Sequence, residues 1–174
     1  ASLAEAADVA IVFTATVSSE GTDRVDLGLP AEEDALVAAV AAVQANTIVV
    51  VNTPGAALMP WASHPNVSAV LVAFMPGQEA GNAIADVLFG LVNPTGRLPL
   101  SFPNKDNEVG FTPEMFPGTP NCTKSQAKSG CEQRAIYSEG LLVGYRWYQQ
   151  HQVTPAFAFG HGLSVSPFCF RSSR

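Results

Sequence analysis

Three short runs of apolar, mostly β-branched residues constrain this chain more than anything else in it. They are "DVAIVFT" (8–14), "TIVVVN" (47–52) and "SAVLVAFM" (68–75). Their apolar character is continuous rather than alternating, which suits parallel strands covered on both faces. Helical patterns separate and follow them. After Pro30, "AEEDALVAAVAAVQAN" has acids in its first turn, matching the helix dipole, and Leu36, Val37, Val40 and Val43 at helical spacing, which predicts a helix ending near Asn46. A shorter helix is expected over Ala56 to Trp61. Another is expected over "QEAGNAIADVLFG", with Ala83, Ile84, Val87 and Leu88 as its apolar stripe and Gly90 as its stop. Repeated strand–helix units predict an α/β fold: a mostly parallel sheet flanked by helices, a partial α/β sandwich. The loops leaving the carboxyl ends of the strands (15–30, 52–56 and 75–79) should then gather on one edge, where such folds place their chemistry.

From about Asn93 the pattern changes to a long irregular C-terminal segment rich in Pro, Gly and Asn, and a loop of that length is functional or lies across a neighbour. Order returns at "YSEGLLVGYRWY" (137–148), and "PAFAFGHGLSVSPF" is expected to add a strand and a turn. The 174 residues suffice for one domain, 1–174. Apolar residues at 47% exclude disorder, and only 14% charge suggests surface kept against another body. A net charge of −6 without any basic cluster argues against nucleic acid and anionic membranes. No apolar run reaches the roughly 18 residues of a membrane span, and the acidic start "ASLAEAADVAIVF" lacks the basic region of a signal peptide. Cys122 and Cys131 lie nine apart in a flexible loop where a local disulfide is easy, leaving Cys169 as a buried small hydrophobe. With possible N-glycosylation at Asn66 and Asn121, the cysteines favour an oxidising, secreted or luminal setting.

His64, His151 and His161 stand in separate segments without spaced ligand partners, so no metal is expected, and no nucleotide or cofactor loop is present. Carboxylates remain: Glu20, Asp23, Glu79, Asp86 and Glu139. Glu79 suits a helix start, Asp86 suits a local ion pair, and Asp23 adjoins Arg24. Glu20 is followed by Gly21 and stands unshielded on the loop after the first strand. On spacing alone it reads as a polar turn before it reads as a catalytic residue.

A set of motifs in one order alters that balance. "SSEGTDR" (18–24), "LGLP" (27–30), "PGQEAGNAIADVLFGLVNPTGRLPLSFP" (76–103), "YSEGLLVGYRWY" (137–148) and "FAFGHGLS" (157–164) together resemble the C-terminal α/β-sandwich domain of family 3 glycoside hydrolases, the β-glucosidase and β-xylosidase group. The resemblance covers nearly the whole chain. It implies a retaining hydrolase acting on a β-linked glucoside or oligosaccharide without a cofactor. In that family a (β/α)8 barrel supplies an aspartate nucleophile and the sandwich domain supplies an acid/base glutamate. Glu20 matches that glutamate, and Asp23 and Arg24 match the Asp-Arg pair that follows it, placed to brace the loop. Two carboxylates about 5–5.5 Å apart do this chemistry: one attacks the anomeric carbon, the other protonates the leaving oxygen and then activates water. The acid must arrive protonated, which a partly apolar interface and a nearby anionic nucleophile favour.

The resemblance also implies that the barrel lies outside these 174 residues, and that a strand–helix unit of the sandwich normally precedes the stretch at Ala1. The chain therefore reads as part of a longer polypeptide or as a processed subunit, inactive alone. Ser19 stands where the family often has Gly, and Val165 where an aromatic commonly follows. The alternative is a non-catalytic structural or carbohydrate-binding module derived from the same domain. Trp61, Tyr145, Trp147 and Tyr148 would then be candidates for sugar stacking, although core packing is their simpler role.

Overall fold

The computed structural model describes residues 2–121 and 131–164. The expectations on Cys122, Val165 and Cys169 therefore lie outside the described residues. In chain order the elements are α1 (Ser2–Glu5), β1 (Ala10–Ala15), α2 (Ala31–Ala41), β2 (Thr47–Asn52), β3 (Val67–Val72), α3 (Ala80–Leu88), β4 (Thr119–Pro120), β5 (Gln133–Arg134) and α4 (Tyr145–His151). The three apolar runs form one parallel sheet in the order β1-β2-β3. Val12 pairs with Val49 and Thr14 with Val51, while Val49 and Val51 pair with Val70 and Val72.

Paired residues share a face, so Val12, Thr14, Val49 and Val51 line one side of the sheet. They meet Val37 of α2, Trp61, Leu29 and Phe102 in the core, where Val37, Val49, Val51 and Phe102 are all fully buried. Trp61 satisfies its indole N–H by donating to Asp34 Oδ1 at 2.7 Å, which pins the chain between β2 and β3 against α2. The opposite side of β1 differs from expectation. Ile11 is 40% and Phe13 55% exposed, so this edge strand is covered on one face only. The apolar residues expected on α2 divide likewise: Val37 is buried, whereas Leu36 and, past the end of the helix, Val43 are exposed.

Two helix expectations change for local reasons. Helix α2 stops at Ala41 rather than near Asn46; beyond it Gln44 keeps one helical bond, its N–H to Val40 O at 2.9 Å, and uses its side chain elsewhere. Its amide nitrogen donates to the carbonyls of Ala4 (2.8 Å) and Ala7 (2.6 Å), tying down α1. No helix forms over Ala56 to Trp61; the segment is extended and then turns at residues 60–63. Its backbone groups serve the first loop instead: Leu58 N–H donates to the Leu27 carbonyl (2.8 Å) and the Ala56 carbonyl accepts from Arg24 (3.0 Å).

Near the C-terminal end, "RLPLSFP" runs antiparallel to "FAFGH". Phe102 and Phe157 exchange both backbone hydrogen bonds, at 2.8 and 3.3 Å, and Leu98 N–H donates to His161 O at 2.9 Å. This is an isolated bridge rather than the expected strand. Phe102 is held edge-on to Phe157 and tilted against Phe74, with centroids 6.3 and 6.4 Å away, which closes the core from below.

Candidate functional site

The parallel sheet brings the carboxyl ends of β1, β2 and β3 to one edge, and Glu20 stands there. Ser19, Glu20, Gly21 and Thr22 form a tight turn closed by the Ser19–Thr22 bridge, with Thr22 N–H donating to Ser19 O at 3.4 Å. Gly21 has φ +77°, the third-position value of a type II turn, where an L side chain is strained. This is the physical reason for Gly after Glu: the turn aims Glu20 outward at its tip, fully exposed. Val17 and Val25 of the same loop are exposed too.

The loop's far side is fixed. Arg24 Nη1 donates to Ala56 O at 3.0 Å and Nη2 to Gly28 O at 3.3 Å, so the guanidinium fastens the loop through two carbonyls rather than through a carboxylate. Asp26 Oδ1 accepts from Gly28 N–H at 2.8 Å, and Asp106 Oδ1 accepts from Leu27 N–H at 3.2 Å. Leu29 is buried in the core. Glu20 is thus a free tip on a braced stem. The roles of Ala56 and Asp106 are not visible in the sequence, because each is a single contact made across the fold, whereas the Asp26–Gly28 bond is local.

Phe74 forms the opposite part of the edge. It has φ +54°, a left-handed backbone costing about 1–2 kcal/mol for an L residue. Its packing on Phe102 and the Thr53 N–H bond to its carbonyl (3.0 Å) hold it there. The chain turns outward at this point, and Met75 is exposed.

The other carboxylates sit elsewhere. Glu79 opens α3 and accepts from the Asn82 amide at 2.7 Å. Glu108 lies in the irregular segment. Its Oε2 accepts from the Tyr148 hydroxyl (2.8 Å) and Asn104 N–H (3.1 Å), and its Oε1 from the Asn104 amide (2.9 Å). Burial would raise the Glu108 carboxyl, but the hydrogen bonds from Asn104 and Tyr148, helped by the charge of Lys105, outweigh it and hold it below its ordinary value. Burial first, and then the hydrogen bond to Glu108 and its charge, push the Tyr148 phenol up. Glu139 lines a cavity of about 720 Å³ beside α4, together with Tyr145, Trp147 and Phe159.

Of the glycosylation candidates, Asn66 donates its amide nitrogen to Ala41 O at 2.7 Å, and Asn121 is exposed. Cys131 is disulfide-bonded. Among the described residues no three His, Cys, Asp or Glu side chains converge as metal ligands, and no helix is long and apolar enough to cross a membrane.

The fold is a parallel α/β domain with Glu20 exposed on a braced loop after its first strand. Comparison with known proteins agrees on the class. Residues 1–145 match the model of the glycosyl hydrolase family 3 C-terminal domain, and the chain belongs to that family. It is similar to beta-glucosidase B of Emericella nidulans, 44% identical over 174 aligned positions and 95% of this chain. It is also similar to thermostable beta-glucosidase B of Acetivibrio thermocellus, 41% identical over 170 positions. Among solved structures it superimposes on DesR, a beta-glucosidase from Streptomyces venezuelae in complex with D-glucose. The TM-score is 0.81 and the identity 42%, over 93% of this chain and 19% of that one. The chain spans about a fifth of the two sequence relatives, 20% of each.

Proposed function

We propose that this chain is the sandwich domain of a retaining β-glucosidase-like hydrolase, a single domain over 1–174, and that Glu20 is its general acid/base. The carrying observation is the geometry of the loop: Glu20 is exposed at the tip of the turn after β1, while Arg24, Asp26, Asp106 and Leu29 hold the stem beneath it. A group meant to cross into a neighbouring domain needs this combination of reach and fixed base. The nucleophile comes from a (β/α)8 barrel in the same or another chain, and the substrate is a β-linked glucoside or oligosaccharide. Glu20 protonates the leaving oxygen as the glycosyl–enzyme bond forms, then takes a proton from the water that hydrolyses it. The similarity to beta-glucosidases supports the substrate class.

The test is made in the complete enzyme. Glu20→Ala is expected to slow substrates with poor leaving groups at least a hundredfold more than activated aryl glycosides, because only the former need protonation. Equal losses on both would remove Glu20 from this role. A secreted setting goes with the reading. Cys131 pairs with Cys122, and Asn121 is the accessible glycan acceptor, since the Asn66 amide nitrogen is already donated to Ala41. Peptide mass spectrometry that finds both thiols free, or a glycan on Asn66 alone, would overturn these two assignments.

A further inference from the structure

Glu139 is the one buried side-chain polar group without a partner among the described residues: its Oε2 is screened from solvent and accepts no hydrogen bond. Such an atom carries the full cost of lost hydration unless a donor reaches it. Glu139 as a residue is half-buried and lines the cavity of about 720 Å³ walled also by Phe111, Leu142, Tyr145, Trp147 and Phe159. The other carboxylate there is already engaged: Glu108 accepts from Tyr148 and, through both oxygens, from Asn104. Ser101, Asn107, Ser138, Tyr145 and His151 also line the cavity, and none of them is an anion, so Glu139 is the one carboxylate of this wall with an oxygen left unpaired.

Around Glu139 the surface is apolar and open: Tyr137 is 75%, Leu141 81% and Val143 56% exposed. Exposed apolar side chains clustered around one unpaired anion match a covering body that is apolar with one cation. We infer that this face is a socket for a basic side chain, Arg or Lys, projecting from an apolar segment of the same enzyme polypeptide. That polypeptide is the natural occupant because the relatives are about five times the length of this chain, which spans 20% of each. The net charge of −6 gives a basic partner further advantage. This inference rests on the reading of the chain as one domain of a larger enzyme, but not on Glu20.

Hydrogen–deuterium exchange on the complete enzyme tests it, read at the peptide covering 137–148. The wild type is expected to protect this peptide, and Glu139→Gln to exchange there at least tenfold faster. Glutamine keeps an acceptor oxygen of the same reach, so only a cationic partner makes that substitution costly. Rapid exchange already in the wild type overturns the socket, and so does Glu139→Gln protection equal to wild type, which would mean a neutral donor. Protection that arises only on adding glucose would make the cavity a sugar site and also overturns it. If Glu139→Gln does not fold, raised salt replaces it: loosening of the wild-type peptide with ionic strength supports the pair, and indifference to salt overturns it. Glu20→Gln serves as the separating control, because loss of hydrolysis with 137–148 still protected bears on the acid/base reading alone.

Discussion

Gly21 controls where Glu20 points, and Gly21→Ala isolates that control. A Cβ at Gly21 would meet nothing within 4 Å, so the substitution has no steric component. What it does meet is φ +77°, and holding an L residue there costs about 1–2 kcal/mol. Alanine also stiffens the unfolded chain, which offsets about 0.4–1 kcal/mol of the global effect. The turn is exposed and closed by a single bridge, so it relaxes locally before the domain unfolds. The melting temperature should therefore move by no more than a few degrees. The native turn, by contrast, loses ground to relaxed conformers by a factor of about 5–30, which is what about 1–2 kcal/mol means as a ratio.

If Glu20 acts from that turn, kcat/KM for cellobiose falls by up to the same factor. An aryl glucoside with a good leaving group should lose less, since its departure needs no proton. Gly21→Asn is the internal control: asparagine tolerates positive φ better, so its loss should be smaller than that of alanine. Melting curves and kinetics on both substrates in the complete enzyme decide the matter. Losses equal on the two substrates, or a larger defect in Gly21→Asn than in Gly21→Ala, would refute the argument that this turn aims a proton donor.

Other substitutions test the supports. Arg24→Ala removes two guanidinium bonds to carbonyls and should cost about 1–3 kcal/mol in thermal or urea unfolding. Arg24→Lys should fall between, because a point ammonium cannot span Ala56 and Gly28 at once, and an Arg24→Ala midpoint like wild type would discard the brace. Phe102→Ala empties a fully buried site between Phe74 and Phe157 and should cost about 3–5 kcal/mol, whereas a loss below 1 kcal/mol would show that the ring is not structural. The Glu108 carboxyl is held below its ordinary value, so its contribution is fully present at neutral pH and is lost as pH falls through its folded value. Tyr148→Phe removes one of its donors and should lower stability by about 0.5–1.5 kcal/mol at neutral pH while flattening the acid decline; a melting-temperature profile parallel to wild type would contradict the pairing.

The sheet was legible because its signal is local. Thr47–Asn52 form the second strand as expected from an uninterrupted β-branched run, and the first and third strands differ only at their ends. The failures come where a side chain or backbone group is claimed from a distance. Gln44 continues the helical pattern in sequence and keeps its N–H bond to Val40 O, but past the last turn of α2 its side chain is claimed by the carbonyls of Ala4 and Ala7. Residues 56–61 favour helix by composition, yet Pro60 has no N–H to close a first turn on the Ala56 carbonyl, and the first loop bonds Ala56 and Leu58 instead. Continuous apolarity in β1 suggested cover on both faces, and periodicity cannot say whether that cover lies in the same segment of chain. Ile11 and Phe13 show that here it does not.

The site divides along the same line. The turn at Glu20 and Gly21 was legible because its reason is contained in four residues, an acid before a position that demands positive φ, but Glu20 became the candidate only through the motifs that resemble the family. The stem was not legible, since Asp106 reaches Leu27 across 79 residues and Ala56 reaches Arg24 across 32. Phe74 was beyond reach for the opposite reason, as nothing local recommends an aromatic residue at φ +54° and only its packing on Phe102 explains it. The order of forces follows. Local turn chemistry selects the residue that is displayed, and long-range contacts decide how firmly. Within the proposed reading, the pair therefore separates experimentally: changes at Gly21 should alter where the proton donor stands, and changes at Arg24 or Asp106 should alter how long it stays there.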